Sequence, residues 1–220
     1  MTSRAHYSEY DAEPIKGLPG LLPAGEQLLW QGAPEWRSLA LHAYHVQSLS
    51  LYFALMVLAR GAYLMSTGAS IAESLSGMVG PAAFAAVAIA IMAGIAAMAA
   101  RSTVYTITSK RVVIRQGIAL ESTINLPFAV VESAALKLRD DGSGDLALTL
   151  IKPNRVSYIW LWPHVRPWRI TQPQPALRSI VDAATAADIL NKAFSAAEPR
   201  TSQTIISSAT PAPETTGVVA

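Results

Sequence analysis

Residues 75–117, LSGMVGPAAFAAVAIAIMAGIAAMAARSTVYTITSKRVVIRQG, decide the architecture, because the hydrophobic pattern changes its period within them. Leu75 to Ala100 is 26 residues without one charge. As a helix it runs roughly 39 Å, longer than a hydrocarbon core of ~30 Å, so it must tilt or protrude. Pro81 lies near its beginning, where a missing backbone donor does least harm. Past Arg101 apolar and polar residues alternate, TVYTIT and then RVVIRQG across Ser109-Lys110, which is the period of strands. A membrane-crossing helix therefore leads directly into a β-rich domain.

Upstream, Val46 to Met65 (VQSLSLYFALMVLARGAYLM) is a second segment long enough to cross, interrupted by Gln47 and Arg60. Arg60 is about five residues, ~7 Å of helix, from the segment's end, so its side chain can snorkel to the surface. Glu73, across the short connection, is its expected partner. Arg4, Lys16 and Arg37 precede the two segments and Arg101, Lys110, Arg111 and Arg115 follow them, while residues 66–74 between them hold no lysine or arginine. Both termini are expected on the cytoplasmic side of a multi-pass protein. Residues 1–25 have no apolar run of the secretory kind and read as a flexible segment, and 26–45 supply a strand, LLWQGAP, and an interfacial stretch.

Downstream, IALESTINLPF, VESAALKLR, LALTLI and VSYIWLW complete a meander of five or six strands. Leu136 and Leu138 alternate with Lys137 and Arg139, and Leu146, Leu148 and Leu150 follow the Asp-Gly-rich turn 140–145, so this pair forms a hairpin with one buried face. A proline-rich passage, Trp162 to Pro175, leads to a helix from about Asp182 to Ala196 with Ala183, Ala187, Leu190 and Phe194 on one face. Residues 197–220 are Thr, Ser, Pro and Ala with little to bury and read as a disordered tail. The fold class is an α+β membrane protein. A two-helix transmembrane hairpin, 46–100 (about 46–65 and 75–100), is attached to, and with LLWQGAP inserted in, a β-rich domain, 101–196, with a C-terminal capping helix.

Composition narrows the chemistry. The chain has no cysteine, which excludes disulfides, thiolate metal sites and cysteine nucleophiles. Its basic residues are scattered, with a net charge of +2, so nucleic acid is not an expected partner. None of His6, His42, His45 or His164 sits in an HExxH helix, and no nucleophile elbow or phosphate loop is present, so no enzyme activity is expected. Asp140, Asp141 and Asp145 read as a turn rather than a calcium loop.

Three constellations remain. His42 and His45, three apart before the first membrane segment, would share a helical face. They suit either a pigment or metal ligand pair or, beside Tyr44, an interfacial marker. Ala82, Ala86, Ala90 and Gly94 recur every four residues and let another helix approach closely; the first helix of the same chain is the expected partner, a second copy or a client helix the alternatives. The passage Trp160, Trp162, His164, Arg166, Trp168, Arg169 concentrates the residue types that dominate contact energies. It is the candidate partner-binding surface, with a membrane-facing rim and internal packing as rivals, and alternating Tyr158, Trp160 and Trp162 are expected to be partly core.

Those motifs carry a resemblance. GLPGLLPAGEQLLWQGAPEWRSLA, YTITSKRVVIRQGIALESTINLPF, DGSGDLALTL and LWPHVRPWRI with PALRSI occur in the order found in the photosynthetic complex assembly protein (PuhB) family of purple phototrophic bacteria, and the match spans Gly17 to Phe194. The middle portion is similar to bacterial pleckstrin-homology-like domains beside membrane helices. The resemblance implies a phototrophic inner (cytoplasmic or intracytoplasmic) membrane and an assembly role for the reaction centre, with indirect effects on the core light-harvesting antenna. It implies reaction-centre subunits or their assembly intermediates as partners; the membrane segments themselves imply membrane lipid, and the small-residue stripe leaves a homodimer open. It brings no catalytic residues. Bacteriochlorophyll delivery through His42, His45 or His164, and a lipid-binding module, are the alternative functions; otherwise no cofactor is expected. The family is often drawn with three membrane segments, whereas two are read here.

Overall fold

The structure, a computed structural model, describes residues 17–18 and 20–197 and the backbone of residues 206–207. In chain order the elements are β1 (Leu28–Gly32), α1 (Trp36–His42), α2 (Val46–Ser66), α3 (Ile71–Ser102), β2 (Val104–Thr108), β3 (Arg111–Gln116), β4 (Ser122–Pro127), β5 (Val131–Leu138), β6 (Gly144–Leu150), α4 (Tyr158–Leu161), β7 (Ala176–Ile180), α5 (Ala183–Ala197) and β8 (Ile206–Ser207). They form an α+β protein with two long apolar helices and two four-stranded sheets, ordered β1-β2-β3-β4 and β7-β6-β5-β8. Because β1 pairs with β2, the helices between them are an insertion in the sheet, as the LLWQGAP strand implied. The chain packs as two compact units. One holds residues 31–106 and 113–125 with the described residues before Glu26, the other 26–30, 107–112 and the described residues from Leu126 onward.

In the first unit, α2 and α3 pair along their lengths. Both are long and apolar enough to cross a membrane. Gly61 of α2 is buried where Met78 covers it, Leu64 lies over Gly77, and Phe53 meets Phe84 edge-on at 6.4 Å. Ser70 caps α3 in a reciprocal box: its hydroxyl accepts from the Glu73 N–H, and the Glu73 carboxylate accepts from the Ser70 N–H at 2.7 Å. This capping corrects the expected Arg60–Glu73 pair. Glu73 is held by the helix end, and the Arg60 guanidinium lies 5.8 Å from the Tyr63 ring centre. At the other end of α3, Ala96, Ala99 and Ala100 form a buried cluster with Leu39, Ala40, Ala43 and Tyr44 of the α1 region. Small residues there let α1 lie close against α3.

In the second unit, the expected β5–β6 hairpin forms, with Leu136 opposite Leu146 and Ala134 opposite Leu148. Its turn is shaped by Asp141, whose carboxylate accepts the Ser143 N–H at 2.9 Å. Gly144 opens β6 where a side chain would meet the Lys137 carbonyl and the Ala183 methyl, both 2.7 Å from an ideal Cβ. Helix α5 covers the hairpin with Ala183, Ala187, Leu190 and Phe194 buried, and Phe194 stacks on Phe128 at 4.4 Å.

Two expectations are corrected here. VSYIWLW is not a strand. Ser157 accepts the Trp160 N–H and starts a single helical turn, α4, so Leu161 is buried, Trp160 and Trp162 face outward and Tyr158 is only half-buried. The missing strand is instead β7, five residues buried throughout, which pairs with β6. Of the expected tail, Ala197 ends α5 and Ile206–Ser207 pair in parallel with Ala135 and Leu136 of β5. The rest of the tail, and residues 1–16 of the N-terminal segment, lie outside the described residues.

Candidate functional site

Between β6 and β7 the second unit extends one long excursion, residues 151–175, that contains most of the candidate contact residues. Its stem is tied down. The His164 N–H donates to Leu161 O at 2.6 Å, Ala176 N–H to His164 O at 3.0 Å, and Val165 bridges Pro175. One step further out, the Arg166 N–H reaches Gln174 O at 2.9 Å, and its guanidinium reaches Gln174 Oε1 at 3.1 Å. Gln174 in turn donates to the Thr149 hydroxyl at 3.1 Å, which fastens the stem to β6.

Just beyond Arg166 the excursion runs out to the surface of the described residues. Residues 167–171 are all exposed, with Trp168 89% and Ile170 68% accessible, and Ile159 of α4 is 87% accessible. Trp168 also has a left-handed backbone, φ 63°, which a tryptophan rarely adopts. The expected contact set therefore divides. Trp160, Trp162, Trp168 and Arg169 are on the surface and Arg166 is half-buried in the stem. His164 is a correction: it is buried at 1% accessibility, unable to touch a partner or hold a pigment at the surface.

Burial, and then the charge of Arg178, push the His164 imidazole down to about 3, so it is neutral at any physiological pH. The neighbouring strands hold a partly buried ionic cluster that sequence reading did not find. Asp145 accepts from Arg139 at 2.7 Å and from the Ser179 N–H at 2.8 Å, with Arg178 Nε 3.7 Å away. Arg139 and Asp145 flank the same turn, so their six-residue spacing was the available signal.

His42 and His45 are also corrected. His42 ends α1 and its Nδ1 lies 2.9 Å from Ser38 O, whereas His45, at φ 53°, starts α2 after a sharp turn. His42 closes α1 and His45 is the left-handed cap residue before α2, so they share no helical face. Among the described residues no three His, Asp or Glu side chains group as metal ligands. Tyr44 between them packs into the cluster formed by α1 and the end of α3. The stripe Ala82, Ala86, Ala90 and Gly94 is exposed along its length, so its expected partner, α2, is corrected as well. Helix α2 packs instead on the side of α3 marked by Ser74, Met78 and Ala85.

A family model described as the bacterial PH domain matches residues 48–194, well over half of the chain. The chain belongs to the bacterial PH domain family. This bacterial PH domain protein is 40% identical over 190 residues to a protein of Rhodobacter capsulatus described as an uncharacterized 23.7 kDa protein in the puhA 5' region, covering 86% of this chain and 88% of the relative. That relative agrees with the resemblance to the PuhB family. No solved structure matches the bacterial PH domain chain.

Proposed function

We propose that this protein is a membrane-anchored, non-catalytic assembly factor for the photosynthetic reaction centre, resident in the bacterial inner membrane with both termini cytoplasmic. The observation that carries the reading is the hairpin's open side. Helices α2 and α3 bury only one narrow face each, and the side of α3 turned away from α2 presents Ala82, Ala86, Ala90 and Gly94, with nothing within 4 Å of a Cβ built on Gly94. In lipid, helices associate by close packing rather than by hydrophobic exclusion, and small residues allow the closest approach. A reaction-centre helix newly inserted in the same membrane is the client that suits this face.

The puhA 5' position in the relative's description supports a link to the photosynthetic gene cluster. The charge asymmetry around the helices supports the orientation. In this reading the protein holds a reaction-centre subunit or intermediate and releases it as assembly proceeds, and effects on the core antenna follow indirectly.

The test is the near-infrared spectrum of membranes from a strain lacking the gene, grown under pigment-inducing conditions. Reaction-centre bands are expected to fall while pigment synthesis and peripheral antenna persist. Unchanged bands would remove the assembly reading.

A further inference from the structure

From Leu146 to Val181 the chain contains Lys152, Arg155, Arg166, Arg169 and Arg178 and not one aspartate or glutamate, although the whole chain is nearly balanced at 17 basic and 15 acidic residues. Arg178 is buried beside Asp145 and Arg166 is taken up by Gln174, which leaves Lys152, Arg155 and Arg169 exposed. The same stretch carries the most exposed apolar side chains of the second unit, Trp168, Ile159, Ile170 and Trp160. Water-facing tryptophan and isoleucine at a loop tip, on a stem fastened by Gln174 to β6, need a covering surface.

We propose that this excursion docks on an anionic bilayer surface. Trp168 and Ile170, with Ile159 and Trp160, would enter the headgroup region while Lys152, Arg155 and Arg169 lie against lipid phosphates. The charge pattern selects this occupant over a protein one. Tryptophan at headgroup depth flanked by cations, with no acid to repel phosphate, is the composition of a membrane interface, whereas a protein surface carries both signs. The stem fixes the tip before contact, so little further ordering is lost on docking. The proposal rests on the membrane reading of α2 and α3, since it is the same bilayer that the tether keeps within reach.

The absence of cysteine allows single labels in the full chain. A nitroxide at Thr171→Cys, with Lys192→Cys as the control on α5, is read for accessibility to oxygen and to a water-soluble nickel chelate. The full-length protein is reconstituted in nanodiscs of phosphatidylcholine with or without phosphatidylglycerol. Incorporation into the discs reports the hairpin; the nitroxide reports the loop. The expected result is that residue 171 becomes shielded from nickel and open to oxygen only with phosphatidylglycerol, while residue 192 stays aqueous. Neutralising Arg155 or Arg169 to glutamine is expected to reduce the shielded population about fivefold each, and Trp168→Ser with Ile159→Ser to abolish it. A label at 171 that stays aqueous in both lipids, in chains that have incorporated, overturns the proposal. So does shielding that appears only when reaction-centre subunits are added, because it assigns the face to a protein.

Discussion

His164 is the residue at which sequence and environment differ most. A histidine between Pro163 and Val165, in a passage crowded with tryptophan and arginine, reads as a surface group, yet the turn at Leu161 sends it inward. With its imidazole held down to about 3, the folded state stays neutral there while the unfolded chain takes up a proton near the ordinary 6.5. The unfolded state therefore binds more protons between those values. Stability falls as pH drops through that window, by at most about 1.4 kcal/mol per pH unit. Thermal unfolding of the detergent-solubilised protein is expected to show this loss between pH 6.5 and 5, and His164→Gln to flatten it. A wild-type profile already flat over that range would mean that the imidazole takes up its proton as readily in the fold as in the unfolded chain.

At the scale of elements, periodicity revealed what repeats and missed what does not. The 26 uncharged residues of α3, the alternation in β2, β3 and the β5–β6 hairpin, and the apolar face of α5 were legible because each has one dominant period over several turns or residues. Strand β7 was hidden because ALRSI groups its apolar and polar residues instead of alternating them, although Arg178 and Ser179 are as buried as their apolar neighbours. In α4 the alternating aromatics imitated a strand; the competing signal was Ser157, a cap residue. Of the candidate site, residue types were legible and placement was not. Sequence named the tryptophans and arginines of the excursion but could not tell that His164 turns in, or that the alanine stripe turns away from α2. That last point makes a prediction at the level of the helix. Ala86→Leu with Ala90→Leu adds bulk on the open side of α3, so the protein should accumulate and unfold as the parent does, whereas reaction-centre bands in the membrane should drop severalfold. Equal bands with normal protein levels would exclude that face as the client's seat.

At the scale of the whole molecule, the first sheet must be completed across its insertion. Glu26, just before β1, and Arg111, at the start of β3, form a two-pronged ion pair at 2.7 and 3.0 Å, 85 residues apart in sequence. Burial alone would raise the Glu26 carboxyl, but hydrogen bonds from Arg111 and Thr108 and the charges of Arg111 and Lys110 outweigh it and hold the group below the usual 4.5. A depressed carboxyl stabilises the fold above 4.5, and that contribution is lost as pH falls through its lower folded value. Glu26→Gln is expected to lower stability by about 2 kcal/mol at neutral pH and to remove part of the acid sensitivity below pH 4.5. Differential scanning of the solubilised protein at pH 7 and pH 4 checks both, and equal melting temperatures for variant and parent at pH 7 would show the pair to be idle.

The pairing of β1 with β2 also imposes a parity rule. Strands joined edge to edge lie on one side of a bilayer, so the chain between Gly32 and Val104 can enter and leave the membrane only an even number of times. Two crossings satisfy this and three cannot. In the proposed topology, a chain whose second helix failed to insert would leave the two halves of its own sheet in different compartments, so a completed first sheet would itself report a correctly threaded hairpin.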